Sequence, residues 1–490
     1  MITYQDYEKA ENKTKWLQSA IRTYRSSKEY KAAVQQEEYM AGRNVAILEF
    51  ERIIYDMAGL PVLDFTKSNN KARCRTIHRL VTDRCSYSLG NGVSFASAEK
   101  KVAKDGSTRT VDKTKDLLGP RFDRELFKAA YWAQANGAAY EYVHKGHEKD
   151  VWEFNLFKKT EFLALYDEKT GALRGGVRFW SIEWGKRPIT AILYTEEGYT
   201  RYETKPGKTG LVDLEQVEDT RPYVETVEIS EAFGEEVTGA ANFSTLPIFP
   251  LYSGENRSSA LDSQKDLIDA YDLVLAGFAN DINDIPQVYW LVSGGYMSEQ
   301  DKRQFLDQLM LQHMAVVNGE DAKLQGFTQE IPYEARERCL ARLRSQMYEN
   351  FGGFDVHTVE AGATNDHIEA GYWPMDEEAD AFEYEIIDFI QNILAMMGIE
   401  DTPIFKRNKV SNQKEQTEMI MMAADKLDEQ TILEKLPWIT VDEVDTILQR
   451  KDGESMARFE KMLAEQDTDE DDNLDEDTDD EEDGGEDEAE

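Results

Sequence analysis

LPIFPLYSGENRSSALDSQKDLIDAYDLVLAGFANDINDIPQVYWLV, residues 246–292, is the stretch from which the rest of this chain is best read. It opens as an apolar, proline-bounded strand, turns through Gly254, Asn256 and Arg257, and continues as a long amphipathic helix. Ser259 followed by Asp262 has the spacing of a capping box at the helix start. From there Leu261, Ile268, Tyr271, Leu275, Phe278, Ile282 and Ile285 recur at steps of three, four and seven, which draws one narrow stripe. The opposite face carries Asp262, Asp266, Asp269 and Asp272, with Lys265 as the single base. A helix over 259–285 would be about 40 Å long, and Pro286 is the first residue that stops it. The pattern alone fits a core helix of a large domain.

Downstream, residues 286–331 read as two short strands around a helical piece, a compact excursion between Pro286 and Pro332. The chain then returns in a second long helix, YEARERCLARLRSQMYENF, with Leu340, Leu343, Met347 and Phe351 on one stripe and Pro332 suited to its first turn. Arg336, Arg338, Arg342 and Arg344 on this helix oppose the aspartates of the first. Their charged flanks meet each other or a neighbouring copy, at about 0–1 kcal/mol per exposed pair. Residues 352–374 are glycine-rich and read as irregular. A third helix starts at Met375 and is expected to bury Tyr384, Ile387, Ile390, Ile393, Leu394 and Met397. Short helices follow, with Pro437 and Trp438 between two of them and Met419, Met421 and Met422 expected in their core.

Upstream, residues 1–60 read as helical, broken at Gly42-Arg43-Asn44. Cys74, Ile77, Val81 and Cys85 mark a further helix, ended by Gly90-Asn91-Gly92 and followed by a strand over 93–95. Residues 123–143 read as a helix closed at Asn136-Gly137 and a tyrosine-rich strand. Between 151 and 231, short β-branched and aromatic runs alternate with turns such as EKTG and EEG, the signature of an antiparallel meander. The fold class is therefore α+β.

Composition narrows the function. The chain has 490 residues and a formal net charge of -40, and 17 acidic residues with no base lie in the segment 467–490. That tail has too little apolar surface to fold and reads as disordered; it lacks the register of a calcium loop. The body is acidic too, which argues against gripping nucleic acid through phosphate neutralisation, although DNA passing nearby without being held is compatible with it. Three widely spaced cysteines and no CxxC pair indicate neither a disulfide framework nor a zinc site, and fit a reducing compartment. No secretory h-region and no run of about 18 apolar residues is present, so no membrane association is expected. His78 reads as a surface or half-buried imidazole. His144 and His147 form an HxxH in a turn without a third ligand. KPGKTG at 205–210 lacks the first glycine of a phosphate-binding loop and reads as a hairpin turn. No catalytic constellation appears, so neither an enzyme nor a cofactor or metal is expected. A magnesium-dependent nuclease built on the many carboxylates is the competing enzymatic reading.

Five fragments occur in an order that resembles a known family: EEYMAGRNVAI, RTIHRLVTDRCSYSLGNGVSF, NGAAYEYV, the opening stretch, and DEQTILEKLPWITVDEVDTI. Together they resemble the portal proteins of tailed bacteriophages and related prophages, in particular the gp6-like portal or minor capsid family, over residues 38–460. The segment ATNDHIEAGYWPMD departs from the Ser-Gly-x-Ala-hydrophobic-Lys pattern common in relatives. The resemblance implies a portal fold: a mixed wing over 1–257, stem helices over 258–285 and 332–351, and a small α/β clip over 286–331. A tunnel loop over 352–374, a long wing helix over 375–400, a helical crown over 401–465 and a disordered acidic tail over 466–490 would complete it.

The resemblance also implies a ring, usually of twelve copies, at one capsid vertex of the virion, assembled in the host cytoplasm. Its partners would be the terminase, head-completion or adaptor proteins, the major capsid or scaffold protein, and double-stranded DNA passing through. Leu261, Ile268, Tyr271, Leu275, Phe278, Arg336, Arg338, Leu343 and Met347 would then build the stem. Lys265, Asp266, Asp269, Thr364, Asn365 and His367 would be candidates to face the channel, and Tyr289, Trp290 and Tyr296 to meet partners from the clip. The alternative is an acidic structural or scaffold-like head protein without a DNA channel.

Overall fold

The computed structural model describes residues 2–458 except 56–57, 66, 103–107, 146–151, 182–188, 205–213, 231–233, 285–288, 294–297, 299, 301, 306–322, 328–332, 359–363, 410–412, 437, 440–442 and 445. The KPGKTG turn, His147, Tyr296 and the acidic tail thus lie outside the described residues. The chain divides into two compact units, one of residues 1–97, 113–361 and 369–409, the other of 98–112, 362–368 and 410–490.

The first unit begins with capped helices. Thr3 and Asp6 form a reciprocal capping box for α1 (Tyr4–Glu8). Asn12 accepts the Lys15 N–H at the start of α2 (Lys13–Ser26), and Ser27 accepts the Tyr30 N–H at the start of α3 (Lys28–Met40). The break at 42–44 is where expected, before α4 (Val45–Glu49). The helical reading of residues 50–60 is corrected: β1 (Ile53–Tyr55) pairs antiparallel with β2 (Pro61–Leu63), and every residue of both is exposed. β-branched residues at 53, 54 and 62 favour the extended state there.

Next come α5 (Thr76–Leu89), β3 (Val93–Phe95), β4 (Glu99–Val102), β5 (Thr108–Val111), α6 (Lys113–Leu118) and α7 (Phe122–Asn136). The β4–β5 hairpin belongs to the second unit. Gly137 closes α7 at φ +80, and a Cβ there would lie 2.2 Å from the Arg257 carbonyl oxygen, so only glycine fits. Beyond it run β6 (Ala138–Lys145), β7 (Trp152–Lys158), β8 (Phe162–Tyr166), β9 (Leu173–Ser181), β10 (Ile189–Thr195), β11 (Gly198–Thr204), β12 (Leu214–Gln216), β13 (Val224–Ser230), β14 (Gly234–Ala241) and β15 (Ile248–Tyr252).

Strands β8 to β12 form the expected meander, five neighbours in sequence order. A second sheet has the order β15-β6-β7, so Pro250 sits on an edge strand, where its missing N–H is tolerated. Among the described residues, three apolar clusters result. One packs α1 and α2 on the meander, through Leu17, Ile21, Val177 and Leu193. Another lies between the two sheets, around Tyr140, Phe157 and Phe162. The largest joins α3, α5 and α7 to α8 (Lys265–Asp284), α9 (Tyr333–Phe351) and α10 (Asn365–Met397).

Between α8 and α9, β16 (Tyr289–Ser293) pairs with β17 (Lys323–Phe327). The return helix α9 spans the residues expected of it. The third helix does not: α10 begins at Asn365 and runs through Pro374, ten residues before the expected start. Tyr372 stacks on Phe354 at 4.1 Å and on Tyr87 at 5.5 Å, which holds that early turn against the core. The buried face of α10 is also corrected. Tyr384 is 70% exposed, whereas Phe382, Ile386 and Phe389 are buried.

β18 (Pro403–Phe405) pairs with β3, and Arg407 is clamped by Asp376, Asp380 and Glu383 of α10. In the second unit, α11 (Gln413–Met422) and α12 (Glu429–Lys435) are short. Met419, Met421 and Met422 are 60%, 58% and 81% exposed, so the expectation that they form a core is overturned.

Candidate functional site

Helix α8 starts six residues later than its sequence suggests. Asp262 does accept the Ser259 N–H at 2.9 Å, but the Ser259 hydroxyl makes no return bond. Residues 260–264 are turns, and the Lys265 N–H donates to the Leu261 carbonyl at 2.8 Å. At 1.5 Å per residue the regular helix is about 30 Å long.

Its buried face is Ile268, Asp272, Ala276 and Asn280, an i+4 row that includes two polar residues. Each has a use. The Asp272 carboxylate accepts the Cys74 backbone N–H at 2.7 Å and a bond from the Asn44 amide. The Asn280 carbonyl accepts the Asn70 N–H at 2.6 Å. Asp284 accepts the Ser68 N–H at 3.1 Å and pairs with Arg52 at 3.4 Å.

The register explains the ladder. Two residues of extended chain rise about 6.6 Å and four about 13 Å, while four residues of helix rise about 6 Å and eight about 12 Å. Residues 68, 70 and 74 therefore keep step with 284, 280 and 272, running antiparallel to the helix. This segment forms no strand because helix side chains accept its amides.

Burial pushes the Asp272 carboxyl above the usual aspartate range, and the bonds from Asn44 and Cys74 only partly offset it. Burial also acts on Asp284, but there the Ser68 N–H and the charges of Arg52 and Lys67 prevail and hold it below that range. Asp269 accepts bonds from the Tyr39 hydroxyl and the Lys265 ammonium, both at 2.6 Å. Burial, reinforced by that bond, raises the Tyr39 phenol.

Helix α9 packs on α8 through a narrow contact. Phe278 meets Tyr333 edge to face at 5.4 Å, and Arg336 forms an ion pair with Asp281. Arg344 binds the Asp355 carboxylate through two bonds, at 3.0 and 3.1 Å, and so fixes the turn after α9. Arg338 is 83% exposed and pairs with Glu334 of its own helix at 3.4 Å.

Among the other residues singled out in the sequence, Leu261 and Met347 are buried, and Tyr271, Leu275, Leu343 and Lys265 are half-buried. Asp266, Thr364 and His367 are exposed, and Asn365 is half-buried. Thr364 accepts the His367 N–H at 3.4 Å, capping α10. Tyr289 and Trp290 lie on β16, opposite Phe327 and Gly326. No group of three or more metal-binding side chains occurs among the described residues, and His144 bonds Asn155 at 2.6 Å.

The sequence reading missed the polar face of the ladder. Asp272 looked like an exposed member of an acidic face because its donors lie 198 and 228 residues away. An Asp and an Asn eight residues apart, both in phase with Ile268, were the available signal.

A family profile described as "Phage portal protein, SPP1 Gp6-like" matches residues 21–471. The chain belongs to this portal protein family. Relatives include the portal protein of Bacillus phage SPP1, 25% identical over 342 residues, 68% of this chain and 63% of that protein. The match thus spans less than two thirds of the SPP1 portal protein. The portal protein of Clostridium phage phiCD119 is 23% identical over 74% of this chain and 80% of its own length. Among solved structures, the neck of the native GTA particle computed with C12 symmetry aligns at a TM-score of 0.40 and 10% identity, over 81% of this chain and 98% of that one. The neck of the empty particle, computed with C6 symmetry, aligns at 0.40 and 9%, over 73% and 87%.

Proposed function

We propose that this chain is the subunit of a portal ring, performing no chemistry of its own, that sits at one capsid vertex and forms the channel for DNA packaging and ejection. The observation that carries this reading, with membership of the portal family, is the α8–α9 pair. Helices α8 and α9 bracket the β16–β17 excursion, and α9 is half-buried at Arg336, Leu340, Leu343, Arg344 and Gln346 before its buried end at Met347. A helix covered on one side alone is suited to neighbouring copies on the others. The apolar β1–β2 hairpin, with Tyr55 at 74% and Phe65 beside it at 86% exposure, offers another surface for a neighbour.

In this reading residues 1–257 are the wing, 258–285 and 332–351 the stem, and 286–331 the clip. Residues 352–374 form the tunnel segment, 375–400 the long wing helix, 401–465 the crown and 466–490 the acidic tail. The clip would dock the terminase, and Tyr289, Trp290 and Tyr296 are its candidate contacts. Head-completion proteins and the capsid or scaffold protein would bind elsewhere on the ring. Asp266 is a better channel-facing candidate than Asp269, whose carboxylate is engaged by Tyr39 and Lys265. Thr364, Asn365 and His367 remain candidates, now at the start of a helix. An acidic wall would repel DNA and let it slide.

Light scattering on the purified protein, alone and with procapsid components, tests the ring. The expected species has a mass close to twelve times 56.2 kDa. A 56.2 kDa species under every condition would contradict the proposal. Incubation with DNA and magnesium should leave the DNA intact; cleavage abolished by carboxylate substitution would point to a nuclease instead.

A further inference from the structure

A cavity of about 380 Å³ opens where the α2–α3 junction meets β6, β8 and β15. That volume lies within the range of small-ligand sites, about 300–1,000 Å³. Tyrosine rings form much of its wall. The Tyr140 and Tyr166 hydroxyls are 3.0 Å apart, and those of Tyr166 and Tyr252 are 3.4 Å apart. Three hydroxyls thus share two hydrogen bonds, and one O–H proton stays available to a further acceptor. Burial raises all three phenols, so they remain neutral donors.

Arg257 supplies the charge at the rim. Its guanidinium lies 3.9 Å from the centre of the Tyr252 ring and 5.9 Å from that of Tyr166. Among the described residues no carboxylate stands within 4.0 Å of it, whereas Lys159, the other cation of the lining, pairs with Glu29 at 3.0 Å.

The backbone at Arg257 is held in an unfavourable conformation, with φ at 51, the only positive value at a non-glycine among the described residues. The Arg257 N–H donates to the Gly254 carbonyl at 3.0 Å, and the Ser253 hydroxyl donates to the Ser258 carbonyl at 2.6 Å. Gly137, with no Cβ, allows the Arg257 carbonyl to approach. Strain over-determined by its surroundings is a recurrent mark of ligand sites.

The geometry points to a binding site for a small carboxylate with a planar or short apolar body. Arg257 takes the carboxylate through its two-pronged donor face, the tyrosine hydroxyl chain donates a further bond, and the rings enclose the body. This site is independent of the ring proposed above.

Calorimetric titration of the full-length protein with benzoate tests it, with benzyl alcohol as the uncharged shape match. Saturable benzoate binding with a Kd of about 1 mM or tighter is expected. Arg257→Gln and the change to benzyl alcohol should each weaken binding about tenfold or more, and Tyr166→Phe by less. Arg257→Lys, which keeps the charge and loses the fork, should also bind more weakly than the wild type and serves if the Gln variant does not fold. No saturable benzoate binding would mean a cavity holding water only. That result, equal binding by the Arg257 variants, or equal binding of benzyl alcohol would overturn the proposal.

Discussion

Glu141 lies on β6 at 2% exposure, and neither carboxylate oxygen has a hydrogen-bond partner among the described residues. Burial, then the charge of Glu125, lifts it well above the ordinary glutamate value of 4.5, with Lys128 opposing. A group whose folded pKa is raised favours the native state below the unfolded value. That advantage fades as pH climbs from about 4.5 toward the raised folded value. Glu141→Leu should therefore gain about 1–3 kcal/mol over the wild type near pH 8 and less near pH 4.5, measured by urea denaturation at both pH values. A gain that does not change with pH would show that Glu141 is not a buried acid. The thiols make a second test at this scale. Burial pushes Cys85 up to about 12 and Cys74 up to about 11, whereas Cys339 is exposed. In the native chain outside any assembly, a maleimide reagent should modify Cys339 first and leave Cys85 untouched until unfolding.

At the scale of elements, the ladder along α8 ties the N-terminal segment 68–74 to a helix two hundred residues later. Asp272→Ala should cost about 1–3 kcal/mol for each donor left bare, those of Asn44 and Cys74. Asp266→Ala, six residues away and exposed, should fall within about 0.5 kcal/mol of the wild type. Equal losses would mean that the ladder does not form. This contrast also marks what was legible beforehand. Strong local signals were read correctly: the Leu340, Leu343, Met347 stripe for α9, Asn136-Gly137 for the end of α7, and alternation with turns for the meander. Errors arose where distant contacts decide. Ser259 and Asp262 have the spacing of a cap, yet they close a turn before the helix. Pro374 looked like a boundary, but stacking on Tyr372 keeps α10 continuous. Apolarity placed Asp272 outside and Met419 inside, and both were reversed by which partners the fold supplies.

At the scale of the molecule, a net charge of -40 opposes gripping DNA through phosphate neutralisation and is compatible with the conduit proposed above. The same charge would drive copies apart, so a ring needs short-range contacts strong enough to offset that repulsion. The half-covered α8–α9 pair and the exposed β1–β2 hairpin are the surfaces proposed to provide them. Because the repulsion is screened over about 10 Å at 0.1 M salt, ring assembly should strengthen as ionic strength rises from low values. Electron microscopy of the purified protein tests the central claim most directly. Closed rings with a central opening wide enough for a DNA duplex, and the α8–α9 pairs set around it, are the predicted result. Particles without a central channel, both alone and in assembled procapsids, would contradict it.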